Sequence, residues 1–588
     1  AGGAINIENP VNLTVIDSIF NDNSATSGGA INGATNTIIG VSNSTFKRNT
    51  ASSVGGAISS QGTLTVDNST FVDNVKDIYM KTGNIANSNF TSNSMPIVTT
   101  TGTVQFNETK FNGEYPSRTY IIGTFTSDKY GEYIVLNDLV TAATQGSTLY
   151  LHNKTYVLDR MVTISKNIVI HGGNSSGDNL FSTVNGINLF QLFYINGAYT
   201  VTFININFIN GKTTANGGAI FGAYNSVITV ENSIFQSNTA NYGGAIYGTT
   251  TVKIINSTFI DNNATYNGGA IWANSVNVNC SKFISNNAFN NIEGGGAIFA
   301  NNKVDVYYST FERNKVFSSP SGGEQGGSAI YSRSTMNIYD SVFNDNIATS
   351  RGALYIPDYG TMKIYRSNFT NNSADAGGAI DFRSSYIYIY DSNFINNTAT
   401  GFGGGAIFAD VPYTSGRLEI SNTTFIGNTA SEGGAIHTYY NALTISVKDS
   451  TFINNSAHIG GAIYGFGRVA TIDNSIFTNN TPNAIVTKAG NGAGTITNSN
   501  FSSTYIPIIS NKGNKITIAN SKFNNDNASN NYIAGSYTAD VTDPCPDLQK
   551  MIDDCTGNVL FLKNQTYAIT KTITFSKPIS IYGGFTET

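Results

Sequence analysis

One motif of about fifteen residues recurs along most of the chain and restricts the folds open to it. A clear copy runs Asn256-Ser-Thr-Phe-Ile-Asp-Asn-Asn-Ala-Thr-Tyr-Asn-Gly-Gly-Ala-Ile271. Its general form is Asn/Asp-Ser-x-Phe-x-x-Asn-x-Ala-x-x-Gly-Gly-Ala-Ile, and successive copies of the Phe, from Phe20 to Phe523, lie mostly 24 to 28 residues apart. A fixed period of this length is typical of a solenoid, in which each turn of chain stacks on the one before.

Between the copies of the Phe, apolar and polar residues alternate in short runs. Leu64-Thr-Val66 and Ile445-Ser-Val447 are examples, and their period of two places the apolar side chains on one face of a strand. Three short strands fit into one repeat, with Asn, Gly and Asp at corners that require left-handed backbone. The pattern predicts an all-β chain: a right-handed parallel β-helix with three strands per rung and short capping helices where modules start.

Two polar positions of the motif are nearly as regular as its Phe. Ser or Thr stands two residues before the Phe, as Ser257 does, and Asn stands three residues after it, as Asn262 does. Identical residues stacked about 4.8 Å apart can hydrogen-bond from rung to rung. We therefore expect ladders of Ser and Asn beside a core of stacked Phe and Ile, and we assign these polar residues a structural role.

A second, much longer repeat is superimposed on the first. Phe111 recurs as Phe523, an offset of 412 residues, and Ile168-Val-Ile-His-Gly-Gly173 recurs as Ile579-Ser-Ile-Tyr-Gly-Gly584, an offset of 411. The chain is therefore interpreted as a window from a longer tandem array. The predicted parts are the C-terminal rungs of one module at 1–128, a complete module at 129–540 and the start of the next at 541–588.

Each module is predicted to begin with a short helix. In the complete module the helix is expected at about 137–144, with Asn137 as its N-cap, and the repeat rungs at about 217–510. The matching helix of the next module is expected at 547–554. Because the end of a β-helix exposes an open strand edge, we expect the helix to cover the first rung.

Composition argues against several classes of partner. Charged residues are 12% of the chain and the net charge is −5, whereas nucleic-acid binding requires concentrated Lys and Arg, so no nucleic-acid partner is expected. No run of 18 apolar residues occurs, so no membrane span is predicted in this window. The four His and three Cys lack ligand spacing, so we expect neither a metal site nor a cofactor.

The cysteines and the N-glycosylation sequons give information about the cellular compartment of the protein. Cys280 takes a corner position that holds Asn or Asp in sister repeats, which predicts a free thiol. Cys545 and Cys555 flank a short segment and are candidates for a disulfide in an oxidising compartment. Abundant Asn-x-Ser/Thr sequons are compatible with a secreted, glycosylated surface protein. The candidate acceptors are Asn43, Asn68, Asn107, Asn153, Asn256, Asn263, Asn368, Asn396, Asn422, Asn454 and Asn564.

The candidate binding site is a column of tyrosines. On four consecutive rungs Tyr stands four residues before the Phe, and on the last of these rungs two further Tyr alternate with core Ile. Exposed Tyr can stack on sugar rings or contact a partner protein, but a Tyr stack can also serve only to stabilise neighbouring rungs. The residues are Tyr307, Tyr339, Tyr365, Tyr386, Tyr388 and Tyr390.

The pairing of Gly-Gly-Ala-Ile with Phe-x-x-Asn resembles the polymorphic outer-membrane protein repeat of chlamydial surface adhesins. It also resembles the very large adhesin-like proteins of methanogenic archaea, whose Asn-, Thr- and Ile-rich composition is closer. Gly28-Gly-Ala-Ile31 with Phe46-Lys-Arg-Asn49 is one copy, and Gly433-Gly-Ala-Ile436 with Phe452-Ile-Asn-Asn455 is another. The resemblance implies an extracellular, cell-surface protein with an adhesive or structural role.

We expect a non-catalytic adhesin or adhesive stalk that binds cells or surface glycans. The first alternative is a structural subunit of an extracellular filament or sheath, in which identical modules pack end to end or side by side. The second is a polysaccharide lyase or glycoside hydrolase, which would need clustered carboxylates. The Asp residues mostly interchange with Asn at corners, and the nearest cluster is Asp358 and Asp381 with Arg351 and Arg383.

Overall fold

The computed structural model confirms a parallel β-helix. Nearly all of its regular structure is β-strand, and the paired strands run parallel. It divides into two compact units, Ala1–Thr213 with Gly218–Ala223, and Thr214–Gly217 with Tyr224–Thr588. The structure describes residues 2–585 except 93–95, 115, 117–119, 128–135, 152, 174–179, 292, 319–324, 358–359, 384–385, 412–415, 440–442, 466–468, 489–492, 512–513, 542–547, 555–558, 564–566 and 568–571.

A rung of the second unit contains the three expected strands and, in seven rungs, one more. In the rung of Phe259 the chain forms Thr258–Ile260, which we call the Phe strand, and then the two-residue strand Asn263–Ala264. It then forms Ile271–Asn279, in which the Gly-Gly-Ala-Ile strand and the alternating strand join across a shift of register. The additional short strand is the part of the rung that the sequence pattern did not predict.

The Phe strands and the short strands of the second unit form two narrow sheets. Each Phe pairs with the Phe of the next rung. The Phe strands are Ile234–Gln236, Thr258–Ile260, Lys282–Ile284, Thr310–Glu312, Val342–Asn344, Asn368–Thr370, Asn393–Ile395, Thr424–Ile426, Thr451–Ile453, Ile476–Thr478, Asn500–Ser502 and Lys522–Phe523. The short strands are Thr239–Ala240, Asn263–Ala264, Asn287–Asn291, Lys315–Ser318, Ile347–Ala348, Ser373–Ala374 and Thr398–Ala399.

Apart from one pair near the end of the chain, the remaining strands of the second unit belong to one wide sheet. In three rungs the Gly-Gly-Ala-Ile and alternating strands are continuous, as Ile246–Ile255, Ile271–Asn279 and Ile298–Tyr307. Elsewhere the Gly-Gly-Ala-Ile strands are Ile330–Ser332, Leu354–Ile356, Ile380–Phe382, Ile407–Ala409, Ile436–Thr438, Ile463–Gly465, Ile485–Thr487, Ile508–Ser510 and Ile533–Gly535. The alternating strands are Val227–Glu231, Thr335–Tyr339, Thr361–Tyr365, Tyr386–Tyr390, Gly416–Ser421, Leu443–Lys448, Val469–Asp473, Ala493–Thr497, Lys515–Ala519 and Tyr537–Ala539. A separate pair, Val559–Lys563 and Ser580–Phe585, lies near the end of the chain.

The first unit contains two series of rungs. The first series consists of Ile5–Ile7, Asn12–Ile16, Ile19–Asn21, Ser24–Ser27, Ile31–Gly33, Ile38–Ser42, Thr45–Lys47, Thr50–Val54, Ile58–Asp67, Thr70–Val72, Ile78–Ala86, Asn89–Thr91, Ile97–Asn107, Lys110–Phe111 and Ile121–Ser127. Helix Leu136–Ala142 precedes the second. That series is less regular and consists of Thr148–Leu151, Thr155–Val157, Val162–Ile164, Ile168–Gly172, Ser182–Asn185, Phe193–Ile195, Thr200–Ile204, Ile206–Ile209 and Ile220–Gly222.

Stacked rings fill the core beside the Phe strands. From Phe235 to Phe523, successive ring centroids lie 4.5–5.0 Å apart with the planes within 9° of parallel. All of these rings are buried. Burying a Phe side chain contributes about 1.5–3 kcal/mol, so this stack is a major source of stability.

The expected ladder of buried Asn side chains is present. The side-chain amide of Asn262 donates to the carbonyl oxygen of Phe235 on the preceding rung (3.0 Å) and to Oδ1 of Asn286 on the next (2.9 Å). Oδ1 of Asn262 accepts from the backbone N and from Nδ2 of Asn238, at 3.1 and 2.9 Å. Every polar atom of the side chain is thereby satisfied inside the protein. A second ladder joins the backbone N of each Ser to the hydroxyl of the next, as between Ser233 and Ser257 at 3.0 Å.

The corners explain the other fixed positions. Asn256 and Asp261, on either side of the Phe strand, have φ of 44° and 52°, a region that Asn and Asp tolerate better than most residues. Cys280 takes the same corner with φ of 49° and is an exposed free thiol, as predicted. Gly268 has φ of +69°, and a Cβ on Gly269 would lie 2.0 Å from the carbonyl oxygen of Gly296, so both positions require Gly.

A short helix lies at each predicted module start. Helix Leu136–Ala142 buries Leu136 and Val140 and packs on strand Val162–Ile164. Asn137 is inside this helix, so its assignment as N-cap was wrong: its Oδ1 accepts instead from the backbone N of Thr163, at 3.3 Å. Lys166 donates to the helix carbonyl of Thr141 at 2.9 Å.

The second helix makes equivalent contacts. In helix Leu548–Asp554 the side chain of Gln549 bonds both the N and the O of Thr574, at 2.7 and 2.8 Å. Lys577 donates to the carbonyl oxygen of Asp553 at 3.2 Å. Asn137, Thr163 and Lys166 precede Gln549, Thr574 and Lys577 by 411 or 412 residues, so the long repeat extends to these contacts. The module boundaries at 128 and 540 stay a prediction.

We predict that replacing one Asn of the buried ladder costs far more stability than replacing a surface Asn of the same rung. Asn397 donates to Phe369 and Asn428 and accepts from Asn372, whereas Asn393 bonds only the surface side chain of Asn368 among the contacts described. Asn397→Ala leaves buried partners unsatisfied and is expected to lower the free energy of unfolding by about 2–4 kcal/mol. Asn393→Ala should cost about 0.5 kcal/mol.

The measurement is chemical denaturation combined with amide hydrogen exchange. Exchange should accelerate mainly in the rungs next to Phe394, because each rung contacts only its neighbours. Equal losses of stability in Asn397→Ala and Asn393→Ala would contradict the role assigned to the ladder.

Candidate functional site

The predicted tyrosine column is a continuous stack, which we call the tyrosine ladder. Tyr307, Tyr339, Tyr365 and Tyr390 each end an alternating strand and pair in register with one another. Their ring centroids lie 5.0, 5.1 and 5.1 Å apart, and the planes are within 5° of parallel except at the last step, where the angle is 24°. All four side chains are half-buried.

Stacking limits what the ladder can offer to a ligand. Both faces of Tyr339 and Tyr365 are covered by neighbouring tyrosines, so these rings present their edges and hydroxyl groups to solvent. The ladder ends at Tyr390, which pairs with Ser421 on the next rung and donates its hydroxyl to Oε1 of Glu419 at 2.5 Å. Burial, followed by this hydrogen bond, raises the pKa of Tyr390 above its ordinary value. The stack thus stabilises adjacent rungs whether or not it also binds a ligand.

A groove of about 380 Å³ adjoins the last two rungs of the ladder. Tyr386 and Tyr388 project from the strand that ends in Tyr390, and Tyr386 is 43% exposed. Lys363 adds a cation from the neighbouring strand. The groove is lined by Thr361, Lys363, Tyr365, Tyr386, Tyr388 and Tyr390. Its phenol hydroxyls and ammonium group suit a polar ligand rich in hydroxyls or carbonyls.

The structure reveals a second aromatic column that the sequence reasoning missed. It occupies the position directly after the Ile of Gly-Gly-Ala-Ile. Tyr247, Trp272 and Phe299 stack there on three consecutive rungs, with centroid separations of 4.3 and 5.8 Å. Tyr331 continues the stack above Phe299 at 4.8 Å. The signal was present in the sequence, but it appears only when positions are counted from the Ile instead of from the Phe.

A groove of about 560 Å³ lies beside this column, and we call it the Trp272 groove. Tyr242 and Tyr266, which stack at 5.0 Å, also line it. Its polar residues include Asn267, Glu293 and Arg333. Glu293 forms an ion pair with Arg333 and accepts from Nδ2 of Asn267 at 2.9 Å. All of the lining residues belong to the second unit.

Farther along the aromatic column, charged residues are buried. Asp381 takes the position of the aromatic ring and forms an ion pair with Arg351 at 3.1 Å. The Arg351 guanidinium also lies 5.8 Å from the ring centroid of Phe408. Arg383 pairs with Asp410 at 2.9 Å. Burial raises the pKa of Asp381 to about 7, against the opposing effect of Arg351.

This cluster does not have the properties of a catalytic site. Asp381 is fully buried and held by Arg351, so its carboxylate cannot reach a large substrate. Asp358, predicted beside it, lies outside the described residues. His437 is 1% exposed, with Nε2 3.4 Å from a Glu432 carboxylate oxygen, and burial lowers its pKa to about 3. His437 is therefore neutral at physiological pH.

The sequons lie mainly on the surface. Among the predicted acceptors that the structure describes, Asn263 is half-buried and the others are exposed. Several already use their Nδ2 in surface bonds, as Asn68 does with Asn43 (2.7 Å) and Asn422 does with Asp391 (2.7 Å). Asn564 and the proposed Cys545–Cys555 pair lie outside the described residues.

Five segments of the chain match the Chlamydia polymorphic membrane protein repeat, at residues 43–61, 232–249, 256–274, 422–439 and 449–465. Each begins at a left-handed corner and continues through the Phe strand and the buried Asn to the Gly-Gly-Ala-Ile strand. The repeat that the comparison finds thus covers most of a rung and stops before the alternating strand. Comparison with curated proteins and with solved structures gave no significant match. The likeness to methanogen adhesin-like proteins stays a prediction.

Two further findings concern the described residues alone. Neither helix is long and apolar enough to pass through a membrane. The His, Cys, Asp and Glu side chains described do not form a group of three that could hold a metal ion.

We predict that Asp381 makes stability depend on pH between about 4 and 7. The pKa of Asp381 is about 7 in the folded chain, against an ordinary value of 3.8, so in this window the folded state holds a proton that the unfolded state has lost. The contribution of this proton to the free energy of unfolding is complete below about pH 4 and is lost as the pH rises through 7. Asp381→Asn removes this contribution.

The measurement is urea denaturation at pH 4.5, 5.5, 6.5 and 7.5. The difference in midpoint, wild type minus Asp381→Asn, should fall as the pH rises, because effects of other titrating groups cancel. Asp340→Asn is the control, since a hydrogen bond from Arg366 lowers the pKa of Asp340 and places its titration below this range. A constant difference for Asp381→Asn would rule out the assigned titration.

Proposed function

We propose that the chain is part of a non-catalytic adhesin on the outside of the cell, built from tandem β-helix modules and binding glycans or the surfaces of other cells. The observation that carries the proposal is the match of five rung segments to the Chlamydia polymorphic membrane protein repeat. That family of repeats belongs to membrane-associated surface proteins, and a parallel β-helix is consistent with a surface-exposed, adhesin-type protein.

The internal chemistry of the rungs supports a non-catalytic role. Asn262 and Ser257 show how the repeated Asn and Ser side chains are used: both are buried and hydrogen-bonded within their ladders, which keeps them from a substrate. Asp77 and Asp381, the described carboxyls whose pKa burial raises most, are both fully enclosed, and Asp381 is also paired with Arg351. These residues hold the rungs together. Contacts with a binding partner are therefore left to the side chains that face outward.

The outward-facing groups suit adhesion. The tyrosine ladder and the groove beside Tyr386 and Tyr388 place phenol hydroxyls and ring edges on consecutive rungs. Tyrosine gives contact area at low entropic cost and adds a hydrogen-bonding hydroxyl, which suits glycan and protein surfaces alike. We propose this groove as the adhesive contact, with Tyr386 and Tyr388 as the tyrosines that line it outside the stacked ladder.

The filament alternative requires modules to join through exposed strand edges or lateral faces. The helices at Leu136–Ala142 and Leu548–Asp554 bond to the backbone of residues that follow them, at Thr163 and Thr574. A helix that covers the first rung removes the edge that end-to-end pairing would use. This observation favours the adhesin over a filament that grows by strand pairing.

We predict that Tyr386→Ser/Tyr388→Ser lowers adhesion by about tenfold, because it removes these two groove tyrosines and leaves the stacked ladder intact. The measurement is the binding of protein-coated fluorescent beads to an immobilised glycan panel and to cells of the species that share the source organism's environment. Tyr224→Ser/Tyr505→Ser is the matched control, since both tyrosines are exposed elsewhere, at 79% and 55%. The control should bind as the wild type does.

Two outcomes would contradict the proposal at different levels. Wild-type beads that bind neither glycans nor cells would overturn the adhesin function. Binding that persists in Tyr386→Ser/Tyr388→Ser would retain the function but remove it from this groove.

A further inference from the structure

The Trp272 groove has the features of a built ligand site, independent of the tyrosine ladder. Its lining residues belong neither to the tyrosine ladder nor to the groove beside Tyr386 and Tyr388. We propose that it binds one uncharged pyranose ring of a saccharide. The assignment rests on the proposed function only in the choice of saccharides as the ligand class, because binding of a soluble sugar does not require attachment to a cell.

Size and shape favour a sugar ring. The groove has a volume of about 560 Å³, within the usual range for small-ligand pockets. Trp272 is stacked between Tyr247 and Phe299, so this column presents ring edges to the groove, and the stacked pair Tyr242 and Tyr266 adds further aromatic surface. Arrangements of this kind can contact the apolar C–H groups of a pyranose and leave its hydroxyls directed at polar residues.

A buried acceptor in the groove calls for a hydrogen-bond donor. Asn267 is only 6% exposed, and its Oδ1 has no hydrogen-bond partner among the described residues. The orientation of the amide is fixed, because Nδ2 must donate to the Glu293 carboxylate, 2.9 Å away. Oδ1 is enclosed as well as unpaired in the free protein, so a small shift of the Asn267 side chain toward a ligand hydroxyl would satisfy an acceptor that otherwise has no partner.

Charge favours a neutral ligand. Glu293 and Arg333 form an ion pair within the groove, so the polar wall carries no net charge. The carboxylate can still accept and the guanidinium can still donate, and sugar hydroxyls do both. A charged sugar would be attracted by one member of this pair and repelled by the other, so it would gain no net attraction to offset the greater cost of removing its charge from water.

Trp272 makes the inference directly measurable because it is the only tryptophan in the sequence. Its fluorescence therefore reports on this groove alone. The experiment titrates the whole chain with methyl β-glucopyranoside, methyl α-mannopyranoside and N-acetylglucosamine, with glucuronate as the charged comparison. We expect a saturable change in emission with at least one neutral sugar, at a Kd on the order of 1 mM, and weaker binding of glucuronate.

Two variants test the residues. Asn267→Leu removes the unpaired acceptor and should weaken neutral-sugar binding about tenfold, with the unliganded emission spectrum and circular dichroism showing that the fold is kept. If Asn267→Leu does not fold, Glu293→Gln decides. It leaves Arg333 uncompensated and should improve glucuronate binding relative to the neutral sugars by about threefold. Tyr386→Ser/Tyr388→Ser is the control and should titrate as the wild type does.

Three results would overturn the proposal: no saturable emission change with any neutral sugar, tighter binding of glucuronate by the wild type, or an unchanged Kd in the folded variant. These outcomes are distinguishable from failure of the adhesin function. A chain that adheres to cells but gives no Trp272 response keeps the function and loses this site. A chain that binds soluble sugar but does not adhere loses the function and keeps the site.

Discussion

The buried Asn that follows each Phe by three residues holds one rung to the next, and most of the structure depends on it. Its side chain reaches the Phe carbonyl of the rung before and the Asn of the rung after, as Asn262 does between Phe235 and Asn286. The two donors and the acceptor are all used, so a polar residue is buried without an unpaired atom. This ladder fixes the spacing at which the Phe rings stack and the strands pair. Corners at positive φ then allow the chain to close each turn.

Regular stacking also controls what the surface presents. On the tyrosine ladder, the contacts that stabilise Tyr339 and Tyr365 cover their ring faces, so a repeated aromatic residue gives up much of its binding surface to its neighbours. Binding capacity therefore concentrates where the repeat is broken. One such place is the end of the ladder at Tyr386 and Tyr388. Another is the Trp272 groove, where the paired charges Glu293 and Arg333 stand beside aromatic rings.

The sequence predicted most of the fold and little of the second groove, for physical reasons. Period-two alternation and the fixed Phe, Ser and Asn positions repeat on each rung, so the β-helix and its ladders could be predicted. The two-residue strand at Asn263–Ala264 is too short to show an alternating pattern. The local sequence indicated Asn137 as a helix N-cap. Its actual partner, Thr163, is 26 residues away, and no local pattern could reveal that contact. Glu293 and Arg333 are 40 residues apart and meet only because the rungs between them stack.

The glycines of the Gly-Gly-Ala-Ile turn have a consequence for how the number of rungs can change during evolution. Rungs with the complete motif present the same small turn, Asn and Phe to the rung on either side, and Gly269 fits closely against Gly296 because both rungs carry that turn. A rung removed as a whole would leave two surfaces that still match. Unequal recombination within the gene can then lengthen or shorten the protein by whole rungs without creating a new interface. Related chains should differ in rung number more readily than in the composition of a rung.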